Sequence, residues 1–139
     1  MCNSIKCLRK VENLENGHDY KIFESLREGV GLMEENPRFA CVSFRILGEM
    51  IVSRLLKQFG IKVTGNYQSD VASLRKIGEL KNKKKFFERL NVIRKNGNIS
   101  AHSKTCTGSY DKLAVASFKA TLKCTKKMSA LIDGCYEYC

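Results

Sequence analysis

The stretch from Pro37 to Phe59 constrains this chain more than any other part of it. Asn36-Pro37 opens it. The asparagine side chain can accept from the free N–H groups of a first helical turn, and proline at the first helical position lacks a donor that would be orphaned anyway. Gly60 closes it, as glycine readily takes the left-handed backbone that ends helices. In between, Phe39, Val42, Ile46, Met50 and Phe59 fall near one stripe, and Leu47, Ile51, Leu55 and Leu56 widen it. A helix that is apolar over most of its circumference must be covered on most sides, so the spacing predicts a central helix over 37–59.

The rest of the chain supplies partners for it. Ile5, Leu8, Val11 and Leu14 lie three apart in a predicted helix over 2–15, which Gly17 breaks. Asp19 can cap a second helix over 20–34 that carries Ile22, Phe23, Leu26, Val30 and Met33, although Gly29 and Gly31 each cost about 1 kcal/mol in a helix interior. After a loop with Gly65-Asn66 as its turn signal, Asn66 or Ser69 caps a short helix over 70–80, with Val71, Leu74, Ile77 and Leu80 inward. A further helix over 85–95 carries Phe86, Phe87, Leu90 and Ile93, and Asn96-Gly97-Asn98 kinks or ends it. Ser109 caps a last helix over 110–133 with Ala114, Phe118, Leu122 and Ile132, and Gly134 stands where a terminal glycine belongs. Only Ile61-Lys62-Val63-Thr64 alternates, and four residues are too few for a strand. The fold class is therefore all-α, a bundle of five or six helices in a single domain over 1–139.

A chain of 139 residues buries roughly two-thirds of its unfolded surface, so this fold needs neither metal nor disulfide, and no cofactor is expected. The seven cysteines are an odd number, and the opening Met1-Cys2-Asn3-Ser4-Ile5-Lys6-Cys7 has no apolar leader; reduced thiols in the cytoplasm follow. Cys2, Cys7, Cys135 and Cys139 would make a zinc set only if the termini met, and their spacings match no common zinc motif. No apolar run approaches the ~18 residues of a membrane span, so no membrane partner is expected.

Charge is concentrated rather than spread. The chain carries net +11, and residues 75–104 alone hold ten basic and two acidic side chains, net +8. The cations are Arg75, Lys76, Lys81, Lys83, Lys84, Lys85, Arg89, Arg94, Lys95 and Lys104. Clustered cations attract phosphate by steering and counterion release, and neutralising about five phosphates gives a log–log salt slope near −4.5 on duplex DNA. Lys81, Lys83, Lys84, Lys85, Arg89, Lys95 and Lys104 are the candidate nucleic-acid contacts.

Catalytic motifs are mostly absent. There is no P-loop, G-x-G-x-x-G, H-E-x-x-H, EF-hand loop or G-x-S-x-G, and His18 and His102 are the only histidines. The tract Ile93-Arg94-Lys95-Asn96-Gly97-Asn98-Ile99-Ser100-Ala101-His102 remains. Arg94 can hold a phosphate bidentately, and His102 can move a proton near neutral pH, a pair able to cleave RNA without metal. Asn98 can brace a backbone turn or His102. On one continuous helix, however, Arg94 and His102 point about 80° apart, and only a kink at Gly97 brings them together. Arg45 and Glu49 lie one turn apart on an otherwise apolar helix, where charges usually pair with each other or with a partner; a structural bridge is expected.

The same tract carries a resemblance. Residues 36–133 resemble the HEPN superfamily of small helical domains, closest to the group associated with type I restriction subunits and helicases. Pro37-Arg38-Phe39-Ala40 opens a helix bearing Arg45 and Glu49, similar to that group's A-x4-R-x3-E helix. A short helix with Leu74 and Leu80 follows, and residues 93–102 look like its I-R-x2-G-N-x-A-A-H signature. The resemblance implies a four-helix core with residues 1–35 as an N-terminal extension, a homodimer with the signature near its seam, and an antitoxin or restriction-system partner. Many members are metal-independent ribonucleases of toxin–antitoxin or anti-phage systems; others bind RNA or nucleotides without cutting. Cutting members place four to six residues between arginine and histidine, whereas seven separate Arg94 from His102, and Lys95 stands where a polar partner is usual.

Three functions follow in order. The first is a non-catalytic module of a defence or stress system that binds nucleic acid, RNA before DNA, or a nucleotide. The second is a metal-independent endoribonuclease using Arg94, Asn98 and His102. The third is a dimeric protein-interaction scaffold whose charge is incidental.

Overall fold

The computed structural model describes residues 2–14, 17, 19–102 and 109–137, and the side chains of 2, 3, 102 and 134–137 lie outside that description. All regular structure among these residues is helical. Six α-helices follow in order: α1 (Cys2–Cys7), α2 (Tyr20–Glu35), α3 (Pro37–Gln58), α4 (Tyr67–Arg75), α5 (Lys84–His102) and α6 (Tyr110–Glu137), with a 3-10 helix (Leu8–Leu14) after α1. The chain is an all-α helical bundle.

At the centre, α3 packs against α2, α5 and α6 at once, and α5 and α6 also pack on each other. The Asn36 side chain accepts from the Phe39 N–H at 3.2 Å, with Pro37 next to it. At the other end Gly60 takes φ +71°, and the N–H groups of Gly60 and Ile61 close on Lys57 and Leu56, a Schellman stop. Only the widening half of the apolar stripe is the buried one. Phe39 and Ile46 are 60% and 49% exposed, whereas Ala40, Cys41, Phe44, Leu47, Gly48, Ile51, Val52, Leu55 and Leu56 are buried. A helix apolar all round gives periodicity nothing to choose between. The side with small residues admits neighbours most closely, and that side is the one covered. A Cβ on Gly48 would stand 3.3 Å from the Ile93 side chain, and one on Gly29 of α2 would stand 2.5 Å from the Phe44 ring. Gly29 is therefore a contact residue of the α2–α3 crossing.

Other expectations shift in boundary. The helix expected over 2–15 divides into α1 and the 3-10 segment, where three residues per turn align Leu8, Val11 and Leu14 on one buried face. Asp19 precedes α2 but makes no side-chain cap; its carboxylate pairs instead with Arg54 of α3 at 2.7 Å. Asn66 caps α4 through the Ser69 N–H. That helix stops at Arg75, and Ile77 and Leu80 reach the core from successive turns. The last helix runs past Gly134 to Glu137, with Ser109 Oγ accepting from the Asp111 N–H at its start. Gly97 neither ends nor breaks α5, which continues to His102. Among the described residues no helix is long and apolar enough to cross a membrane.

Candidate nucleic-acid interface

The candidate residues converge on α5, and the reason is packing. Ile93 and Gly97, one turn apart, face α3 where Gly48 and Arg45 stand. A Cβ on Gly97 would collide with the Cβ and stem of Arg45, so glycine is what lets the arginine cross the helix. Having crossed, Arg45 Nη1 donates to Asn98 Oδ1 at 2.8 Å. Arg45 Nε and Ser100 Oγ are buried without a hydrogen-bond partner among the described residues. Arg38 Nε donates to the Ser100 carbonyl at 2.6 Å. On the opposite side of α5, Asn96 is buried and its amide donates to Ser117 Oγ at 3.2 Å and to the Leu113 carbonyl at 3.4 Å on α6.

Arg45 bridges to a partner in the 93–102 tract, Asn98, rather than to Glu49. The one ion pair among the described residues is Asp19 with Arg54, and Glu49 is exposed while Arg45 reaches across Gly97 to Asn98. Asn98 is thus held by α3, and its oxygen is occupied.

Arg94 turns the other way. Its guanidinium lies 5.2 Å from the centre of the Tyr67 ring on α4, and Arg75 lies 4.4 Å over the Phe87 ring. These pairs frame a cleft of about 240 Å³ between α4 and α5. Burial is the main cause that raises the Tyr67 hydroxyl to about 12, with Cys124 and Glu49 adding to it and Arg94 opposing it. Tyr67 is therefore a neutral hydroxyl near pH 7. The unbroken course of α5 leaves Arg94 and His102 about 80° apart around its axis. The His102 side chain and Lys104 lie outside the described residues, as do His18 and Cys106.

The lysine-rich start of α5 faces a third direction. Lys83, Lys84, Lys85 and Arg89 line a groove of about 350 Å³ with Lys127, which comes from α6 and was no part of the sequence cluster. Burial and the neighbouring Lys83 ammonium hold Lys127 below the usual lysine range. No acidic residue lines the groove, and none stands in the first turn of α5, where the helix dipole would favour one. Five cations converge there without a carboxylate, an arrangement that an anion would stabilise. Lys81 and Lys95 are exposed but line neither cavity. Lys127 was missed because 38 positions separate it from Arg89 in sequence. Only the register of α5 against α6 brings them together; the Cys124 thiol against the Phe86 carbonyl, at 3.9 Å, marks that register one turn earlier on α6.

No group of three or more histidine, cysteine, aspartate or glutamate side chains among the described residues could hold a metal ion. Cys41 and Cys124 are buried, and burial raises the Cys124 thiol to about 12, with Arg89 pulling the other way. Cys124 is therefore not a nucleophile near neutral pH. No family model, curated protein or solved structure matches the chain.

Proposed function

We propose that this chain is a nucleic-acid- or nucleotide-associated module that binds without cutting, with RNA favoured over DNA. The observation that carries the reading is the groove in which Lys83, Lys84, Lys85, Arg89 and Lys127 meet with no acidic side chain. Surface cations scattered for solubility need not converge from two helices on one hollow. Two features rank binding above cleavage. Arg94 lies over the Tyr67 ring, and α5 continues through Gly97, so positions 94 and 102 stand about 80° apart around its axis. A HEPN-like identity for residues 36–133, a cytoplasmic role in a defence or stress system, and an antitoxin or restriction-system partner belong to the same proposal and rest on the tract 93–102.

The test is fluorescence anisotropy with a labelled 20-nucleotide RNA across a salt series. A slope of about −3.5 is expected if about five phosphates are neutralised on a single strand. Lys83→Glu with Lys127→Glu should weaken binding at least tenfold and flatten that slope. Wild-type protein that shows no affinity at 100 mM salt would sink the reading. Incubation with RNA in EDTA, beside His102→Ala, tests the endoribonuclease alternative: cutting by wild type alone would replace binding with catalysis.

A homodimer is part of the proposal, supported by exposed Phe39 and Ile46 on α3, with half-buried Val42 between them. Phe39 and Val42 border a hollow of about 550 Å³ lined also by Asn36, Arg38, Ser100 and Ala101. Sedimentation of wild type as a dimer and of Ile46→Glu as a folded monomer is expected; a wild-type monomer at high concentration would remove the dimer.

A further inference from the structure

The cleft between α4 and α5 is built differently from the lysine groove. It is lined by apolar Val71 and Leu90 and by Tyr67 and Phe87, with a guanidinium over each ring. Neither Arg75 nor Arg94 has an acidic partner or donates a hydrogen bond among the described residues. The carboxylate whose charge reaches Tyr67 is Glu49, which stands outside the cleft lining. A guanidinium lying on an aromatic face keeps all its N–H groups in its own plane, directed past the ring edge. Both arginines line the cleft without a hydrogen-bond or acidic partner among the described residues, and such a fork takes phosphate bidentately.

Size and lining narrow the occupant. About 240 Å³ is below the ~300–1,000 Å³ of sites for drug-sized ligands, so one flat ring system fits and an extended molecule does not. The exposed amides of Gln68 and Asn91 stand at the mouth, able to donate to and accept from the edge of such a ring. We propose that this cleft receives an unpaired nucleobase of a single-stranded nucleic acid, with Arg75 and Arg94 taking the flanking phosphates. The shared chemistry is a heteroaromatic ring joined to phosphate, and a free nucleotide carries it too. In a duplex the base is stacked inside and cannot enter, so the cleft selects strands whose bases splay out. The inference rests on the nucleic-acid reading and adds strand selectivity to it. The lysine groove attracts any polyanion, while the cleft distinguishes single from double strands.

The experiment uses the full chain, a labelled 10-nucleotide oligouridylate, and a 10-base-pair RNA duplex with the same label, at 100 mM salt. Ala72, exposed at the cleft lining, is changed to Phe to fill the space, and Arg75→Gln serves as a second variant that keeps the volume open. Circular dichroism confirms that each variant is folded. Wild type should prefer the single strand. Either variant should lower single-strand affinity roughly tenfold, the weight of one stacked base, and leave duplex affinity unchanged. Lys85→Glu, in the groove, should lower both. Equal affinity for both strands in wild type, or an equal loss for both in the cleft variants, overturns the proposal while leaving the general nucleic-acid reading intact. If wild type binds neither polymer, that general reading fails, and AMP titrated at millimolar concentration decides the cleft. NMR shifts at Tyr67 and Arg94 that vanish in Ala72→Phe assign it to a free nucleotide. No shift, or equal shifts with inorganic phosphate alone, overturns the site.

Discussion

The two sides of α5 are both basic and opposite in construction. Toward α6, Lys83, Lys84, Lys85, Arg89 and Lys127 stand around an open groove that no acidic side chain lines. Toward α4, Arg75 and Arg94 lie on the faces of Phe87 and Tyr67, where the electron-rich ring surface offsets part of each positive charge. Arg94 and Arg89 are five residues apart, which on a helix is 500°, or about 140° around the axis. The difference teaches that a basic segment is not a basic face. A net +8 over 75–104 announces affinity for polyanions, but the helical turn deals those charges onto separate surfaces with separate energetics.

Both surfaces hang on one crossing, and the largest effect comes from disturbing it. Gly97 lies under the stem of Arg45, and a side chain there would meet the arginine's Cβ, which cannot swing away as a side-chain tip can. Gly97→Val should force α3 and α5 apart at a cost of about 3 kcal/mol, the range of overpacked cores. Urea denaturation followed by circular dichroism measures it. Because the Arg45–Asn98 bond spans the same crossing, groove and cleft should both loosen, and nucleic-acid affinity should fall on both sides together. A Gly97→Val protein with wild-type stability would mean that the crossing is soft, and the two surfaces could then not be treated as fixed.

A smaller effect is confined to the cleft side. Asp70 is 4% exposed and accepts from the Thr64 N–H at 3.0 Å and the Thr64 hydroxyl at 2.7 Å, tying the 60–66 loop onto the first turn of α4. Burial works against its charge, but the bonds from Thr64 and from the Gly65 N–H outweigh it and hold the carboxyl below its ordinary value of 3.8. That contribution is complete above pH 3.8 and drains away as the pH falls through the lower folded value. Asp70→Asn should cost about 1.5 kcal/mol near neutral pH, as for hydrogen bonds to a charged group. The gap between variant and wild type should close in acid, so thermal melts at pH 7 and pH 3 check it. A gap that is unchanged at pH 3 would show that the loop is held by something other than the carboxylate. Single-strand affinity should drop in Asp70→Asn, because Tyr67 and Arg75 ride on α4, while duplex affinity through the groove should hold.

Much of the architecture was legible, and the failures have causes. Asn36-Pro37 and Gly60 marked the central helix because caps and stops are local: the side chain and the backbone groups it satisfies lie within four residues of each other. Which face of α3 is buried was not legible. Phe39 and Ile46 are as apolar as Leu47 and Ile51, and burial was decided by Gly48, Gly29 and Gly97, residues that carry no hydropathy signal. Gly97 was read as a break because glycine weakens an isolated helix, and in the bundle that cost is set against a close crossing that only glycine permits. The basic segment was legible as charge but not as geometry. Lys127 joins the groove from α6, and the aromatic partners of Arg75 and Arg94 come from residues chosen as core, Phe87, or left in a loop, Tyr67. Long-range neighbours of this kind depend on helix register, which one sequence does not encode in any local pattern.

The smallest effect sharpens the comparison most, because the two sides should differ in sign. Removing a cation from the cleft removes an attraction to a ring, so Arg94→Leu and Arg75→Leu should each lower stability by about 0.5–1 kcal/mol. Removing one from the groove removes a repulsion, so Lys83→Gln or Lys127→Gln should raise stability by a few tenths of a kcal/mol, in line with like-charge pairs elsewhere. Salt separates the two further. The groove's gain should shrink between 50 mM and 500 mM salt as screening shortens to a few ångströms, whereas guanidiniums 4.4 and 5.2 Å from the ring centres should lose little. Differential scanning fluorimetry at the two salt concentrations is sufficient. If Lys83→Gln or Lys127→Gln destabilised the protein at low salt, the groove cations would have partners of their own. The groove would then be a solvated surface, and the contrast with the cleft would disappear. If they stabilise it, the fold holds repelling charges in place without neutralising them, as expected of a site whose counter-charge arrives with its ligand.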